Sequence, residues 1–355
     1  MATLEDVALL SGVSAMTVSR VVNNKPGVSA KTIAKVEAAI RQLNYRPNLV
    51  ARSLVTNRVN SIGVLFSRLE NPLYSVMVSG IVQTASEYGL DVVLGNGHDV
   101  NSLIKSANIL ISKKIDGLIV LPVEVNLHGV EATLDDTRYF YSELESILCS
   151  MAPTPLPTVL LEDRQVMGIS GKVKVDYRGG AEMAVAHLVE NGHRKIGMVC
   201  HEMRDAGIWQ ERFQGFLNAM NANGCAVNND FIADCSLSIG SSFKVVSQLL
   251  SKPHRPTALY CANDELAVGA LNAAVACGLR VPEDISIIGH DGSLYSETTF
   301  PRLTTVSICP FEIGVTCMEQ LYLALNKKSI DPVRTVEPVL IQGNSVKFIA
   351  SDQKL

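Results

Sequence analysis

The sequence predicts an all-α head followed by an α/β body of two lobes with parallel sheets. Three observations carry that expectation. The first 44 residues set apolar residues at helical spacing behind three Ser/Thr caps. From Asn60 onward, short apolar runs of strand length alternate with amphipathic stretches of helix length, as in parallel sheets covered by helices. At 355 residues the chain also exceeds one ordinary core.

In the head, Thr3 is placed to cap a helix from Leu4 to about Leu10, with Asp6 completing a capping pattern. Ser11-Gly12-Val13 makes a turn, Ser14 caps a helix to about Asn23, and Ser29 caps a third to about Leu43. Val7, Ala8, Val18, Val21, Val22, Val36, Ile40 and Leu43 form the expected core.

In the body the expected strands are Ile62–Phe66, Asp91–Gly95, Gly117–Leu121, Thr158–Leu161, Lys172–Val175, Ile196–Cys200, Ala258–Cys261 and Ile285–Gly289. Helical stretches are expected at 75–88, 102–113, 179–191, 211–223 and 264–277. Two such sets, divided near residue 162, read as two lobes, with a less regular segment at 123–156.

Charge is divided unevenly. Residues 1–58 carry +5 against −4 for the whole chain, which leaves −9 for the rest. A basic head suits phosphates, and an acidic body does not. No run of about 18 apolar residues marks a membrane span, and the N-terminus has no signal-peptide pattern, so a cytoplasmic protein is expected. The eight cysteines never fall two apart and sit mostly in apolar runs, which reads as buried thiols rather than a metal site or disulfide framework.

The segment Gly12 to Asn23 has the pattern of a helix-turn-helix. Val18, Val21 and Val22 face the core, while Ala15, Met16, Ser19 and Arg20 share another face. A recognition helix offers such a face to the major groove, where Arg20 can make a bidentate contact to guanine. A plain helical hairpin with a solvated arginine is the alternative.

Thr3-Leu4-Glu5-Asp6-Val7-Ala8, then Gly-Val-Ser-x-x-Thr-Val-Ser-Arg-Val-Val-Asn from Gly12, resembles the head of LacI/GalR repressors. So do Val28-Ser29-x-x-Thr32 and Leu43-Asn44-Tyr45-Arg46-Pro47 through Leu54. The resemblance implies a homodimeric, DNA-binding repressor of a carbohydrate-utilisation operon that reads an inverted-repeat operator under allosteric sugar control. It implies DNA contacts by Thr3, Leu4, Ser14, Ala15, Met16, Thr17, Ser19, Arg20, Asn23, Val28, Ser29, Thr32, Tyr45, Asn48, Ala51 and Leu54. Residues 48–54 are then a hinge helix ordered on the operator, with Leu54 as a minor-groove wedge or, alternatively, a cover for the body's apolar surface.

Residues 60–345 resemble a periplasmic sugar-binding protein fused to the head. The matching segments include Asn71-Pro72-Leu73-Tyr74, Asn191 to Gly197, Cys261 to Ala270 and Ile285 to Asp291. The implied division is a head at 1–46, a hinge and linker at 47–59, and an effector and dimerisation domain at 60–345. Within that domain the N-lobe spans about 60–161 and 306–328, the C-lobe about 162–305 and 329–345, and a tail covers 346–355. By matched position, Arg212, Asn263 and Asp291 bind effector hydroxyls and Tyr74 stacks on the sugar, with Trp209 either stacking or simply core. Leu94 to Asp99 looks closest to the galactose branch, whereas His290 and Gly292 depart from the family inside the expected pocket.

No Walker loop, nucleophile elbow, metal-ligand spacing or dinucleotide fingerprint is present, so no enzyme, cofactor or metal is expected. A pure solute-binding protein and a sugar-active enzyme with an appended reader are the rival classes. The end at Gln353-Lys354-Leu355 without leucine heptads favours a dimer over a tetramer.

Overall fold

The computed structural model describes residues 2–23, 25–45, 58–67, 71–122, 126–127, 130–131, 134–151, 153, 155–162, 164–202 and 207–350. The chain divides into two compact units, Met1–Val59 and Asn60–Leu355. The expected hinge at 48–54, with Asn48, Ala51 and Leu54, lies outside the described residues.

The first unit holds α1 (Leu4–Ser11), α2 (Ala15–Val22) and α3 (Ala30–Leu43). Each begins at the expected cap. The Thr3 hydroxyl accepts from the Asp6 N–H at 3.2 Å while the Asp6 carboxylate accepts from the Thr3 N–H at 2.8 Å, so two orphan amides are satisfied reciprocally. Ser14 and Ser29 accept from the amides of Thr17 and Thr32. Gly12 closes α1 at φ 66°, a left-handed position that costs glycine little. Val7, Val18, Val21, Val36 and Ala39 form the buried centre.

The second unit contains two six-stranded sheets. The first has the order β13-β7-β6-β3-β1-β2 and is parallel throughout. Its strands are β1 (Ser61–Phe66), β2 (Asp91–Asn96), β3 (Gly117–Val120), β6 (Thr158–Leu161), β7 (Gly171–Val175) and β13 (Val333–Val336). A short antiparallel hairpin, β4 (Asn126–Leu127) and β5 (Val130–Glu131), follows β3. The second sheet has the order β14-β12-β11-β10-β8-β9. It comprises β8 (Ile196–His201), β9 (Ile232–Cys235), β10 (Ala258–Cys261), β11 (Ser286–Asp291), β12 (Thr304–Ser307) and β14 (Val339–Ile341), of which only β14 runs antiparallel, beside β12.

Helices cover both faces, which is why central strands such as Gly117–Val120 and Ala258–Cys261 are buried along their length instead of alternating. On the first sheet α4 (Pro72–Glu87) and α12 (Pro310–Leu325) cover one face, and α5 (Val100–Ser112) and α6 (Leu134–Ser150) the other. The helices α4 and α12 meet backbone to backbone. A Cβ on Gly80 would lie 2.3 Å from the Phe311 carbonyl oxygen, and one on Gly314 would lie 2.0 Å from that of Met77. The second sheet is covered by α7 (Tyr177–Glu190), α8 (Gly207–Ala222), α9 (Ile239–Leu250) and α10 (Asp264–Ala276), with α11 (Leu294–Thr298) after β11.

The lobe boundaries depart from expectation. The strand at Lys172–Val175, expected in the C-lobe, pairs with β6 and β13 in the first sheet. Thr304–Ser307 pairs within the second sheet, and Val333–Val336 returns to the first. The chain therefore crosses between lobes three times, after β7, after β12 and after β13. Strand periodicity cannot reveal which sheet a strand joins, so the first of the expected crossings, near 162, falls one strand short of the observed one after β7. The irregular segment at 123–156 contains the 17-residue α6, with Phe140, Tyr141, Leu144 and Leu148 buried. Residues 346–350 belong to the second lobe rather than to a separate tail: the Ile349 N–H donates to the Asn191 carbonyl at 2.9 Å.

Candidate functional site

In the head, the capping geometry that starts α2 and α3 also arms their N-termini. Ser14 pairs with Thr17, and Ser29 with Thr32, through hydroxyl contacts of 2.9 Å at the first turn of each helix. Helix N-termini of this kind bind phosphate. On α2, Val18 and Val21 are buried while Ala15, Met16 and Arg20 are exposed, Met16 to 74%. Arg20 Nη2 donates to the Pro26 carbonyl at 3.1 Å, so a base contact requires it to exchange that acceptor. Asn23 turns back on α2, its amide donating to the Ser19 carbonyl at 2.7 Å. Leu4, Val28 and Tyr45 pack, partly buried, against the head's core.

In the second unit, Tyr74, Arg212, Asn263 and Asp291 all line one small pocket between the lobes, together with Asn71, Leu73, Met77, Pro122, Tyr177, Ile208 and Trp209. Asn71, Leu73, Tyr74 and Met77 come from the start of α4, and Asn263 and Asp291 from the carboxyl ends of β10 and β11, where open α/β sheets place ligands. The pocket shares Pro122, Tyr177 and Ile208 with a cavity of about 670 Å³, a size suited to a small ligand.

Arg212 is almost wholly buried. Its Nη2 donates to Asp291 Oδ1 at 2.6 Å and its Nη1 to the Ala262 carbonyl. Its Nε has no partner among the described residues. The guanidinium lies over the rings of Tyr177 at 4.8 Å and Trp209 at 5.1 Å. Burial, the largest single effect, opposes its charge, but the Asp291 carboxylate together with Tyr260 and Tyr177 more than offsets it, and its pKa moves up. Burial pushes the Asp291 carboxyl up while Arg212 pulls it back. The Asn263 side-chain oxygen accepts from the Leu266 N–H at 2.8 Å as the cap of α10, which leaves its NH2 as the group it can offer a ligand.

Tyr74 lines the pocket, donates its hydroxyl to the Pro122 carbonyl at 2.9 Å and stacks on Phe66. Trp209 belongs to the core cluster, stacks on His201 and also lines the pocket. His290, expected in the pocket, does not line it. The ring is fully buried, with Nδ1 hydrogen-bonded to the Tyr260 hydroxyl at 2.8 Å, because strand alternation turns it away from Asp291. Gly292 answers a packing need instead, since a Cβ there would lie 2.4 Å from that of Ser307. Leu94 to Asp99 close β2 and cap α5, and line neither cavity. Tyr177 was missed because its position beside the cleft depends on the first crossing between lobes.

Together the pocket offers arginine and amide donors, a carboxylate acceptor and two aromatic faces, a set suited to vicinal hydroxyls. No cluster that could hold a metal occurs among the described residues. No helix among them is long and apolar enough to cross a membrane.

A helix-turn-helix head on a two-lobed body with a polar inter-lobe pocket defines a DNA reader with a small-molecule receptor. Residues 3–48 match the lacI family of bacterial regulatory proteins, and residues 185–346 match a periplasmic binding protein-like domain. The chain is 33% identical over 352 residues to the HTH-type transcriptional repressor PurR of Pectobacterium atrosepticum, covering 98% of this chain and 97% of the relative. It is 31% identical over 347 residues to the ribose operon repressor of Escherichia coli K12, covering 97% and 100%. Among solved structures, the lac repressor dimer bound to operator and the anti-inducer ONPF matches with a TM-score of 0.79 at 28% identity, covering 98% of this chain and 99% of that one. The cellobiose complex of the regulator CelR matches at 0.66 and 26%, covering 97% and 100%. The chain belongs to the lacI family of bacterial regulatory proteins. It is a DNA-binding transcriptional repressor under small-molecule control, not an enzyme.

Proposed function

We propose that this protein is a cytoplasmic homodimer that represses a carbohydrate-utilisation operon and answers to a small neutral sugar, with galactose or a galactoside as the named effector. The carrying observation is the buried Arg212–Asp291 pair, which lines the pocket with Tyr177, Trp209 and Asn263 and whose arginine Nε has no partner among the described residues. A donor so deeply buried and unpaired is costly unless a ligand completes it. The ribose operon repressor and the cellobiose-bound regulator support carbohydrates as the class. Galactose is named from the resemblance of residues 94–99, which lie away from the cleft, so the choice among sugars rests on sequence alone.

On this reading Thr3, Ser14, Thr17, Ser29 and Thr32 engage phosphates, and Ala15, Met16, Ser19, Arg20 and Asn23 face the major groove. Two heads on a two-fold operator require the dimer that the lac repressor structure is named for. Selecting tight-binding duplexes from a random pool, followed by mobility shifts with galactose, ribose and cellobiose, tests the proposal. An inverted repeat released or tightened by galactose supports it, and a response to ribose or cellobiose alone overturns the choice of galactose. No duplex preference, or none of the three sugars altering the shift, overturns it.

A further inference from the structure

Asp264 has no exposed surface and does not line the pocket, yet it begins α10 immediately after Asn263. Its Oδ2 accepts from the Ser293 N–H at 2.7 Å and from the Ser293 hydroxyl at 3.0 Å. Its Oδ1 accepts from the Thr305 hydroxyl at 2.6 Å. One carboxylate thus ties the start of α10 to the turn after β11 and to β12. The sheet makes room for it, because a Cβ on Gly289 would lie 2.3 Å from Oδ1.

Between Gly289 and Ser293 lies the segment that carries Asp291, and its backbone is unusual. Asp291 sits at φ 108° and Gly292 at φ 66°. A non-glycine residue in that region persists only where its surroundings over-determine it. The surroundings here are specific. On one side the Ile308 N–H donates to the Asp291 carbonyl at 3.1 Å, and on the other Asp264 holds both donors of Ser293. Burial and the nearby Asp291 charge raise the Asp264 carboxyl to about 7, so the group is costly to keep at this position for packing alone.

We propose that Asp264 is the positioning residue of the effector pocket. By holding Ser293 it fixes the left-handed conformation that aims the Asp291 carboxylate at Arg212 and keeps Arg212 seated over Tyr177 and Trp209. The inference rests on Arg212, Asn263 and Asp291 being the effector site, but its first readout needs no effector. Trp209 is the single tryptophan of the chain, so its emission reports the seating of Arg212 directly.

The test compares full-length wild type, Asp264→Asn, Asp291→Asn and the double variant. Asp264→Asn should bind operator as wild type does in the absence of sugar, shift Trp209 emission and speed exchange of the Ser293 amide. Galactose affinity should fall about tenfold, the factor expected from weakening one charge-assisted hydrogen bond. In the Asp291→Asn background, Asp264→Asn should add nothing to the emission shift, because both changes act through one pair. Unchanged emission and Ser293 exchange overturn the proposal, as do additive shifts in the double variant. Should Asp264→Asn not fold, Ser293→Ala carries the test with a smaller shift in the same direction, and no shift overturns it. Wild type that ignores galactose while Asp264→Asn shifts emission and exchange as stated removes galactose and upholds the positioning role.

Discussion

Arg212 and Asp291 form a 2.6 Å ion pair inside the inter-lobe pocket, with the arginine side chain 2% exposed and the carboxylate 12%. The pair joins α8 to the end of β11, and the Arg212 Nε beside it has no partner among the described residues. Removing one partner strands the other charge.

Asp291→Ala should therefore do more than silence the pocket. An uncompensated buried Arg212 costs about 3–5 kcal/mol, a large share of an ordinary domain's stability. Asp291→Asn keeps an acceptor and should cost less while still weakening effector binding. Urea unfolding of both variants checks this ranking, and equal midpoints would show that the pair contributes little.

Arg20→Ala should weaken operator binding by about 1–3 kcal/mol and relax discrimination at one base pair, through loss of a bidentate guanine contact. The Pro26 carbonyl that Arg20 now engages is exposed enough for water to replace it, so the head should stay folded. Anisotropy titrations on matched and singly substituted operators read both effects. Unaltered selectivity would remove Arg20 from the reading face.

Stability should respond to pH through two buried groups of opposite sign. His193, bonded to Thr257 and Ser286, is held down to about 4 by burial, so folding favours its neutral form. Its contribution is present above about 6.5 and is lost as pH falls toward 4. Asp264 runs the other way: raised to about 7, its contribution is full below the ordinary carboxylate range and lost as pH rises through 7. Denaturation midpoints between pH 4.5 and 8 should thus lose their acid-side fall in His193→Gln and their neutral-side fall in Asp264→Asn.

Gly80→Ala should destabilise the first lobe by about 1–3 kcal/mol, since its Cβ would press on the Phe311 carbonyl where α4 and α12 touch. Gly240→Ala meets open space and serves as the control in the same melting experiment.

Local chemistry explains which parts were legible in the sequence. Caps at Thr3, Ser14 and Ser29 and the spacing of Val7, Val18 and Val21 are short-range signals, and the head follows them closely. Arg212, Asn263, Asp291 and Tyr74 were placed by resemblance and meet in one pocket. What depends on long-range pairing was not legible. Lys172–Val175 reads as a strand but carries no mark of its sheet, and Tyr177 gains its place only from the crossing that follows. The side to which His290 points depends on register, which one residue reverses.

The central claim is that a sugar in the inter-lobe pocket changes operator affinity, and a titration of operator binding with galactose tests it most directly. Such coupling is typically about 1–3 kcal/mol and reciprocal, so wild type should shift its operator affinity roughly 5- to 150-fold and bind galactose with the same factor altered by operator. Asp291→Asn should bind operator normally and lose most of that shift. An operator affinity indifferent to galactose in wild type, or an undiminished response in Asp291→Asn, would contradict the account.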